Sequence, residues 1–264
     1  MASASLAEPQ VWRQFPGRVA TFCLVELQRL RHDRSEILTR AVQPVLWLVI
    51  FGETFTRLHA IPTGHVPYLD FLAPGIIAQS GMFIAIFYGI QIIWERDAGV
   101  LNKLLVTPTP RSALIVGKSF AAGIRAMTQV VVVLILSAIL GVSLTDDPLR
   151  ILGAFVIVMM GAAFFACLSM SIAGIVLRRD RLLGIGQMIT MPLFFASSAL
   201  YPVSIMPGWL QLLSRINPLS YEVDALRGLL IHTPADLALD FGVLILSVVV
   251  GVGVASSLVS RLAR

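Results

Sequence analysis

An uncharged run extends from Leu182 to Ser214 and contains three prolines, Pro192, Pro202 and Pro207. About 20 apolar helical residues cross the hydrocarbon core of a bilayer, so this run is longer than one crossing requires. Proline interrupts a helix because it lacks a backbone donor, which disfavours one straight helix over the whole run. The run therefore predicts a single crossing followed by apolar chain that turns back at the far surface.

Composition supports a membrane protein. Of the 264 residues, 57% are hydrophobic and only 13% are charged, and a soluble domain of this length could not bury so much apolar surface. Four further uncharged runs have spanning length: 71–94, 126–145, 151–177 and 241–260. Together with the run at Leu182 they predict five crossings. A sixth candidate, 37–56, contains Arg40 and Glu53, and it spans only if Arg40 snorkels inward and Glu53 lies near the outer surface or faces protein.

Charge placement favours the sixth crossing. With six helices and a cytoplasmic N-terminus, sixteen of the twenty basic residues lie on the inner side, and the net charge is +9 inside and −4 outside. Five helices would place the basic turn at 178–181 and the basic N-terminal segment on opposite sides of the membrane. Since cytoplasmic loops are enriched in Lys and Arg, we expect six transmembrane helices in the cell (inner) membrane with both termini cytoplasmic. Anionic headgroups account for the basic balance, so no nucleic-acid partner is expected.

The N-terminal segment, 1–36, shows the pattern of an amphipathic interfacial helix rather than a crossing. Apolar residues recur at helical spacing at Ala20, Cys23, Leu24, Leu27 and Leu30, opposite a polar stripe of Glu26, Arg29 and Asp33. Such a helix lies along the inner membrane surface. It either contacts a cytoplasmic partner or serves as a plain anchor ahead of the transmembrane domain, 37–262. No signal peptide is evident.

The inner loop after the second crossing combines charge with an apolar stripe. Glu95, Arg96 and Asp97 precede Val100, Leu101, Leu104 and Leu105, and Pro108 and Pro110 end the segment. This pattern predicts a short amphipathic helix at about 95–105, held between two crossings and able to carry force from a soluble partner. A topogenic loop with ordinary interfacial charge is the alternative.

On the outer side, helix signals follow the long apolar run. Asn217 is a good N-cap, with Pro218 at the first helical position, and Asp224 and Arg227 then fall at i and i+3 on one face. The segment at about 201–230 is expected to dip into the outer leaflet as short re-entrant helices rather than to project as a loop. If this ion pair is exposed, it should contribute less than about 1 kcal/mol to stability.

These segments resemble the integral-membrane subunits of ABC-2 type transporters, in particular the drug-export and nodulation-factor-export branch. The resemblance covers nearly the whole chain and rests on three blocks. They are Glu95, Arg96, Gly99, Leu101 and Pro108; Gly117 and Lys118; and Ser197, Tyr201, Pro202, Pro207, Trp209, Leu210, Asn217, Pro218, Leu219, Ser220, Tyr221, Asp224, Ala225, Leu226 and Arg227.

The resemblance implies an all-α polytopic fold and a permease that exports a lipophilic or amphipathic substrate, such as a drug, lipid or glycolipid. It implies a second permease subunit, in a homodimer, and two copies of a separate ATPase that binds ATP and Mg²⁺. It assigns coupling to Glu95, Arg96, Asp97, Gly99, Leu101 and Lys103, and the outer re-entrant segment to Tyr201, Pro202, Pro207, Trp209, Asn217, Pro218, Tyr221, Asp224 and Arg227. No phosphate-binding loop of the form G-x-x-x-x-G-K-[ST] occurs in the sequence. No catalytic, metal or cofactor site is therefore expected in this chain itself.

An intramembrane enzyme is the main alternative. His65 and Asp70 have the H-x-x-x-x-D spacing of glycerolipid acyltransferases, in which an acid-oriented histidine activates a hydroxyl. Pro67 lies between them, the loop is predicted to be outside, and no further acyltransferase block is visible. A structural or receptor-like membrane protein is a third possibility.

Overall fold

A computed structural model describes residues 41–58, 61–99 and 111–262, together with the single helical positions Gly17, Ala20 and Leu24. Within these ranges every regular element is a helix and no strand occurs. Most of the expected interfacial helix lies outside the described residues, as do Leu101, Lys103 and the rest of 100–110. The all-helical class predicted from the sequence is confirmed for the part that the structure describes.

Eight helices, α1 to α8, follow one another along the described chain. Helix α1 covers 41–58 and contains a π-helical stretch, Trp47–Gly52, before a last α-helical part, Glu53–Leu58. The others are α2 Tyr68–Asp97, α3 Arg111–Ile139, α4 Pro148–Val176, α5 Arg179–Phe195, α6 Gly208–Ile216, α7 Pro218–Leu230 and α8 Leu237–Leu262, with a short 3₁₀ turn at Val203–Ile205.

Helix α4 lies at the centre of the bundle and packs against α2, α3, α7 and α8. Small residues allow this close approach, since glycine and serine let two helix backbones come together. The Ser169 hydroxyl of α4 donates a hydrogen bond of 2.7 Å to the carbonyl of Ile86 in α2. A Cβ added at the neighbouring Gly89 would overlap Ser169. The tight α2–α4 contact fixes these two long helices relative to each other.

Four of the described helices are long and apolar enough to cross a membrane: Tyr68–Asp97, Ser112–Ile139, Pro148–Val176 and Leu237–Val259. The chain is thus a multi-pass integral membrane protein. Helix α5 has only 17 residues, about 26 Å, which is short of the hydrocarbon thickness of about 30 Å. The chain turns at Ala196, so this helix ends well before the uncharged run does. The count of six stays a prediction.

Helices α2 and α3 run in opposite directions, because Glu95 in the last turn of α2 contacts Lys118 near the start of α3. Helices α4 and α8 run parallel to each other, since Cys167 lies beside Gly251 and Gly174 beside Leu258. The bundle thus has two distinct ends. Helix α2 is 30 residues long, about 45 Å. Its first residues lie beside α7, where the Tyr68 hydroxyl donates to the carbonyl of Leu200 at 3.2 Å. Its last turn lies beside the start of α3. We call these the α7 end and the Glu95 end.

Candidate functional site

At the Glu95 end, the three charged residues of the predicted coupling segment form the last turn of α2. The helix ends at Asp97, and Gly99 follows with a φ of +72°, a left-handed conformation that closes a helix and that glycine adopts without strain. The predicted coupling helix therefore does not begin at position 95. Any separate helix would start after Gly99, in residues outside the described part of the chain.

Glu95 connects α2 to α3 through an ion pair. Lys118 Nζ lies 2.6 Å from Glu95 Oε2 and 2.7 Å from Oε1, so both carboxylate oxygens face the ammonium group. The Lys118 side chain is only 8% exposed, whereas that of Glu95 is 28% exposed. Arg96 forks onto one oxygen of its neighbour Asp97, at 2.9 and 3.1 Å. The Glu95 side chain thus remains partly exposed, although its Oε2 is buried, while it holds a buried cation.

A second cation strengthens this α2–α3 contact. The Arg125 guanidinium lies 5.0 Å from the centroid of the Tyr88 ring, and Lys118 Nζ lies 5.9 Å from the same centroid. Both cations are buried, and the negative face of an aromatic ring stabilises a cation that has lost water. The sequence resemblance drew attention to Lys118, but nothing in the sequence alone pointed to Tyr88.

At the α7 end, the predicted start of the second outer helix is confirmed. The Asn217 side chain accepts a hydrogen bond of 3.1 Å from the backbone N–H of Leu219, and Pro218 occupies the first position of α7. The Asn217 amide also donates a 2.6 Å hydrogen bond to the carbonyl of Leu193 in α5. One side chain therefore caps α7 and holds it against the end of α5.

Arg227 is the centre of this end of the bundle. Its Nη2 donates to the carbonyls of Ser198 at 2.6 Å and Ala199 at 3.3 Å, and its Nε donates to the carbonyl of Phe71 at 3.2 Å. The guanidinium carbon lies 3.5 Å from the Phe71 ring centroid. Burial lowers the pKa of Arg227 to about 10, against the opposing effect of the Asp224 carboxylate. Arg227 joins α7, α2 and the turn after α5.

Asp224 is the weaker member of the predicted pair. Its Oδ1 lies 3.5 Å from Arg227 Nη1 and accepts a 2.9 Å hydrogen bond from the Ser198 hydroxyl. The side chain of Asp224 is 47% exposed, against 6% for Arg227. The i, i+3 pairing predicted from the sequence is confirmed, but the two residues do not satisfy each other alone, because backbone carbonyls take most of the Arg227 donors.

The other predicted outer residues mostly shape the chain. Pro202 and Pro207 precede the 3₁₀ turn and α6, respectively. The Tyr201 hydroxyl, in the turn after α5, donates to the carbonyl of Phe195 at the end of that helix, and the Tyr221 hydroxyl of α7 donates to the carbonyl of Arg215 in α6. Trp209 is 67% exposed on α6. Pro202 and Tyr221 line one pocket together with Asp224 and Arg227, whereas Tyr201, Pro207 and Trp209 are not among its lining residues.

Glu222 was not singled out by the sequence, yet it lies at the core of the α7 contact. It is fully buried, and neither of its carboxylate oxygens has a hydrogen-bond partner among the described residues. A Cβ added at Gly161 of α4 would overlap the carboxylate. Burial raises the pKa of Glu222 well above its ordinary value. The available sequence signal for its burial was its spacing. Glu222 lies three residues after Leu219 and four before Leu226, and both leucines are buried.

A cavity of about 380 Å³ lies between α1, α2, α3 and α5. It follows α2 from the middle of the helix to its last turn. Its walls are largely apolar, with four polar side chains, Gln43, Ser80, Gln91 and Gln129. Glutamine side chains in membrane helices favour contact with protein or with a polar path over contact with lipid, and Gln91 and Gln129 line this cavity. Such a lining fits a largely apolar molecule with a few polar groups.

The acyltransferase arrangement is not formed. His65 is exposed in the loop before α2, while Asp70 is buried in the first turn of that helix. Within the described chain, no hydrogen bond or ion pair joins the two side chains. An acid that orients a catalytic histidine must touch it, so this pair gives no support to an enzyme.

Comparison with known proteins agrees with the geometry. The family described as ABC-2 type transporter matches residues 19–231. The transport permease ycf38 of Pyropia yezoensis is 31% identical over 198 residues, covering 73% of this chain and 67% of its own. Nodulation protein J of Rhizobium leguminosarum bv. viciae is 27% identical, covering 86% and 87%. The daunorubicin resistance ABC transporter permease protein DrrB1 of Streptomyces coeruleorubidus is 24% identical, covering 77% and 71%.

Proposed function

Since this chain belongs to the ABC-2 type transporter family and is a membrane subunit of an ATP-binding cassette exporter, we propose that it forms half of a translocation path for a lipophilic or amphipathic cargo. A drug, a lipid or a glycolipid has the required chemistry. The cavity beside α2 carries this proposal, because apolar walls with four dispersed amide and hydroxyl groups suit such a molecule. The relatives named for daunorubicin resistance and for nodulation support an export role.

In this proposal the energy for transport comes from a separate ATPase, since ABC-2 permeases generally work with such a partner. We place ATP and Mg²⁺ on two copies of that partner. Its docking point is the Glu95 end, where Arg96 and Asp97 are partly exposed beside the Glu95–Lys118 ion pair. Gly99 ends α2 there, and Leu101 and Lys103 belong to the same proposed coupling segment. Movement of this segment would be passed directly to α2 and α3.

The topology that we propose has six crossings, with α1 and α5 added to the four long helices. Both termini and the Glu95 end face the cytoplasm, in the cell (inner) membrane. Helices α6 and α7 are re-entrant at the outer surface. The contact between α5 and α7 supports this arrangement. Helix α5 is short, and the Asn217 amide at the start of α7 donates a hydrogen bond to the Leu193 carbonyl, so α7 packs against the point where α5 ends.

A second copy of the chain completes the path, in a homodimer. Helix α5 supports this part of the proposal, since Gln187 is exposed on it. An amide that faces lipid is unfavourable, whereas one that faces a second subunit or a water-filled path finds partners.

Filling the cavity tests the proposed path. The Ser80→Trp variant places a large ring in the cavity, and Ser143→Trp, in the exposed turn after α3, is its matched control. Inside-out vesicles from cells that express the chain with its ATPase are supplied with ATP and lipophilic fluorescent compounds, beginning with daunorubicin. We expect ATP-dependent uptake in the wild type and control, and its loss in Ser80→Trp at equal membrane abundance. Equal uptake by all three would contradict the cavity as the path.

A further inference from the structure

A second pocket, of about 540 Å³, opens at the α7 end between α2, α7 and the start of α8. Four charged side chains line it: Asp224 and Arg227 from α7, and Asp236 and Asp240 from the start of α8. Apolar groups such as Val66, Phe71 and Leu239 complete the wall. The pocket thus combines three carboxylates and one guanidinium with an apolar surface.

The positive charge of Arg227 is already compensated by groups of the protein itself. Its donors are directed to the carbonyls of Phe71, Ser198 and Ala199, and Asp224 lies beside it at 3.5 Å. The Arg227–Asp224 pair is close to neutral. Two further carboxylates, on Asp236 and Asp240, leave the pocket with an excess of negative charge.

Asp240 gives the strongest sign of a missing ligand. The residue is only 4% exposed, and its Oδ2 accepts no hydrogen bond from any described residue. It lines the same pocket as Asp224 and Asp236, which also carry carboxylates. By contrast, Asp236 Oδ1 accepts a 3.2 Å hydrogen bond from the N–H of Leu239, so it caps α8. A buried carboxylate oxygen without a donor costs free energy, and a cation in the pocket would supply the donor.

The geometry favours an organic cation over a metal ion. Among the described residues, no three acidic, histidine or cysteine side chains come together closely enough to hold a metal. An ammonium group carries three N–H donors and tolerates wider spacing between carboxylates, while an attached alkyl chain fits the apolar wall.

We propose that this pocket binds the ammonium group of an amphipathic amine, with Asp240 as its principal contact and Asp236 as the second. The same chemistry comes from two sources, an amine on the exported cargo or the headgroup of an aminophospholipid. The cargo source rests on the proposed export function. Binding itself does not, because it can be measured without the ATPase, so failure of one proposal is distinguishable from failure of the other.

Calorimetric titration of the purified full chain in a neutral maltoside detergent tests the site. The probe is hexylammonium, and hexanol is the uncharged comparison. We expect hexylammonium to bind about tenfold or more tightly than hexanol, and Asp240→Asn to remove this difference, since a hydrogen bond to a charged group is worth that much. Asp146→Asn, which changes an exposed carboxylate between α3 and α4, is the matched control and should bind like the wild type.

Asp236→Asn provides a second variant in case Asp240→Asn does not fold, because asparagine keeps the helix cap. It should weaken hexylammonium binding severalfold. If added phosphatidylethanolamine competes with hexylammonium and phosphatidylglycerol does not, the natural ligand is a lipid headgroup. If neither lipid competes, the natural ligand is the amine of the cargo. Equal affinity for hexylammonium and hexanol would overturn the proposal. So would unchanged hexylammonium binding in both aspartate variants, or a similar loss in Asp146→Asn.

Discussion

The guanidinium of Arg227 stacks on the ring of Phe71, 3.5 Å from its centroid, and donates a hydrogen bond to the carbonyl of the same residue. A residue of α7 is thereby joined, by ring and backbone together, to the first turn of the longest helix. Two further carbonyls, in the turn after α5, bind the same side chain. One cation thus joins three segments at the α7 end of the bundle.

Removal of Arg227 should therefore be costly. In Arg227→Ala three buried carbonyls lose their donor, and we expect a loss of about 3–5 kcal/mol in the free energy of unfolding. Asp224→Ala should cost less than about 1 kcal/mol, because the Asp224 side chain is 47% exposed. Thermal unfolding in detergent measures both. The double variant should match Arg227→Ala, since the carbonyls remain without donors in either case. A double variant more stable than Arg227→Ala would show instead that the unpaired carboxylate dominates.

Glu222 should make stability depend on pH. Its ordinary pKa is 4.5, and burial raises the pKa well above that value in the folded chain. The folded state therefore keeps a proton that the unfolded chain releases, and stability falls as pH rises above the ordinary value, by about 1.4 kcal/mol per unit until the folded pKa is reached.

Glu222→Gln removes this penalty. We expect the variant to gain stability over the wild type progressively as the pH rises above 4.5, the ordinary pKa of the carboxyl, with little difference at the acidic limit. Chemical unfolding in detergent, at a series of pH values from acidic to mildly alkaline, measures the difference. Glu53→Gln, at a half-exposed position on α1, is the control and should leave the pH profile unchanged. Parallel profiles for the wild type and Glu222→Gln would contradict the prediction.

Gly161 should be intolerant of any side chain while Glu222 is present. A Cβ at Gly161 overlaps the Glu222 carboxylate, so we expect Gly161→Ala to reduce folded yield strongly, with a loss of about 2–3 kcal/mol typical of overpacking. Glu222→Ala in the same chain makes room and should recover most of that loss. Size-exclusion profiles of both variants provide the measurement. Gly184→Ala, where a Cβ meets open space, should be harmless.

Much of the architecture follows from the sequence because its signals are local. Apolar run length predicted the four long helices, and the capping chemistry of Asn217 and Pro218 predicted the start of α7. The end of α2 was misplaced because charge alone assigns Glu95, Arg96 and Asp97 to a loop. In the structure they extend the helix, and Gly99 supplies the actual stop.

The contacts that define the candidate sites are not local, and the sequence could not supply them. Glu95 and Lys118 are 23 residues apart, and the Arg227 donors reach a carbonyl 156 residues away. Such pairings depend on how helices pack, which periodicity leaves undetermined. In the sequence, Asp240 contributes only to the negative charge predicted for the outer side. Its place three residues after Leu237 and four before the buried Leu244 could have indicated a side chain on an apolar face.

The proposed topology predicts a pattern of chemical labelling. In a background without Cys23 and Cys167, single cysteines at Thr63 and Asp146 should react with an impermeant thiol reagent added to intact cells, whereas one at Arg179 should not. Both Thr63 and Asp146 lie in connections at the α7 end, which we place outside. Permeabilised cells serve as the control, in which position 179 should also be labelled. Labelling of position 179 in intact cells would eliminate the six-helix arrangement.

Two roles of Glu95 can be separated by mutation: it holds Lys118, and we propose that it contacts the ATPase. Glu95→Ala leaves the buried Lys118 ammonium without its carboxylate, so we expect both reduced stability and uncoupling of ATP hydrolysis from transport. The charge exchange Glu95→Lys with Lys118→Glu restores an ion pair, and with it much of the stability.

If Glu95 also contacts the ATPase, the exchanged chain should fold but remain uncoupled, because the exposed charge at position 95 has been reversed. Thermal unfolding reports stability, and co-purification with the ATPase together with cargo-stimulated ATP hydrolysis reports coupling. Arg96→Ala changes a neighbouring side chain that, among the described residues, is hydrogen-bonded only to Asp97, so it should uncouple without a loss of stability. Full coupling in the exchanged chain and in Arg96→Ala would show that Glu95 acts only inside the α2–α3 contact and that the ATPase docks elsewhere.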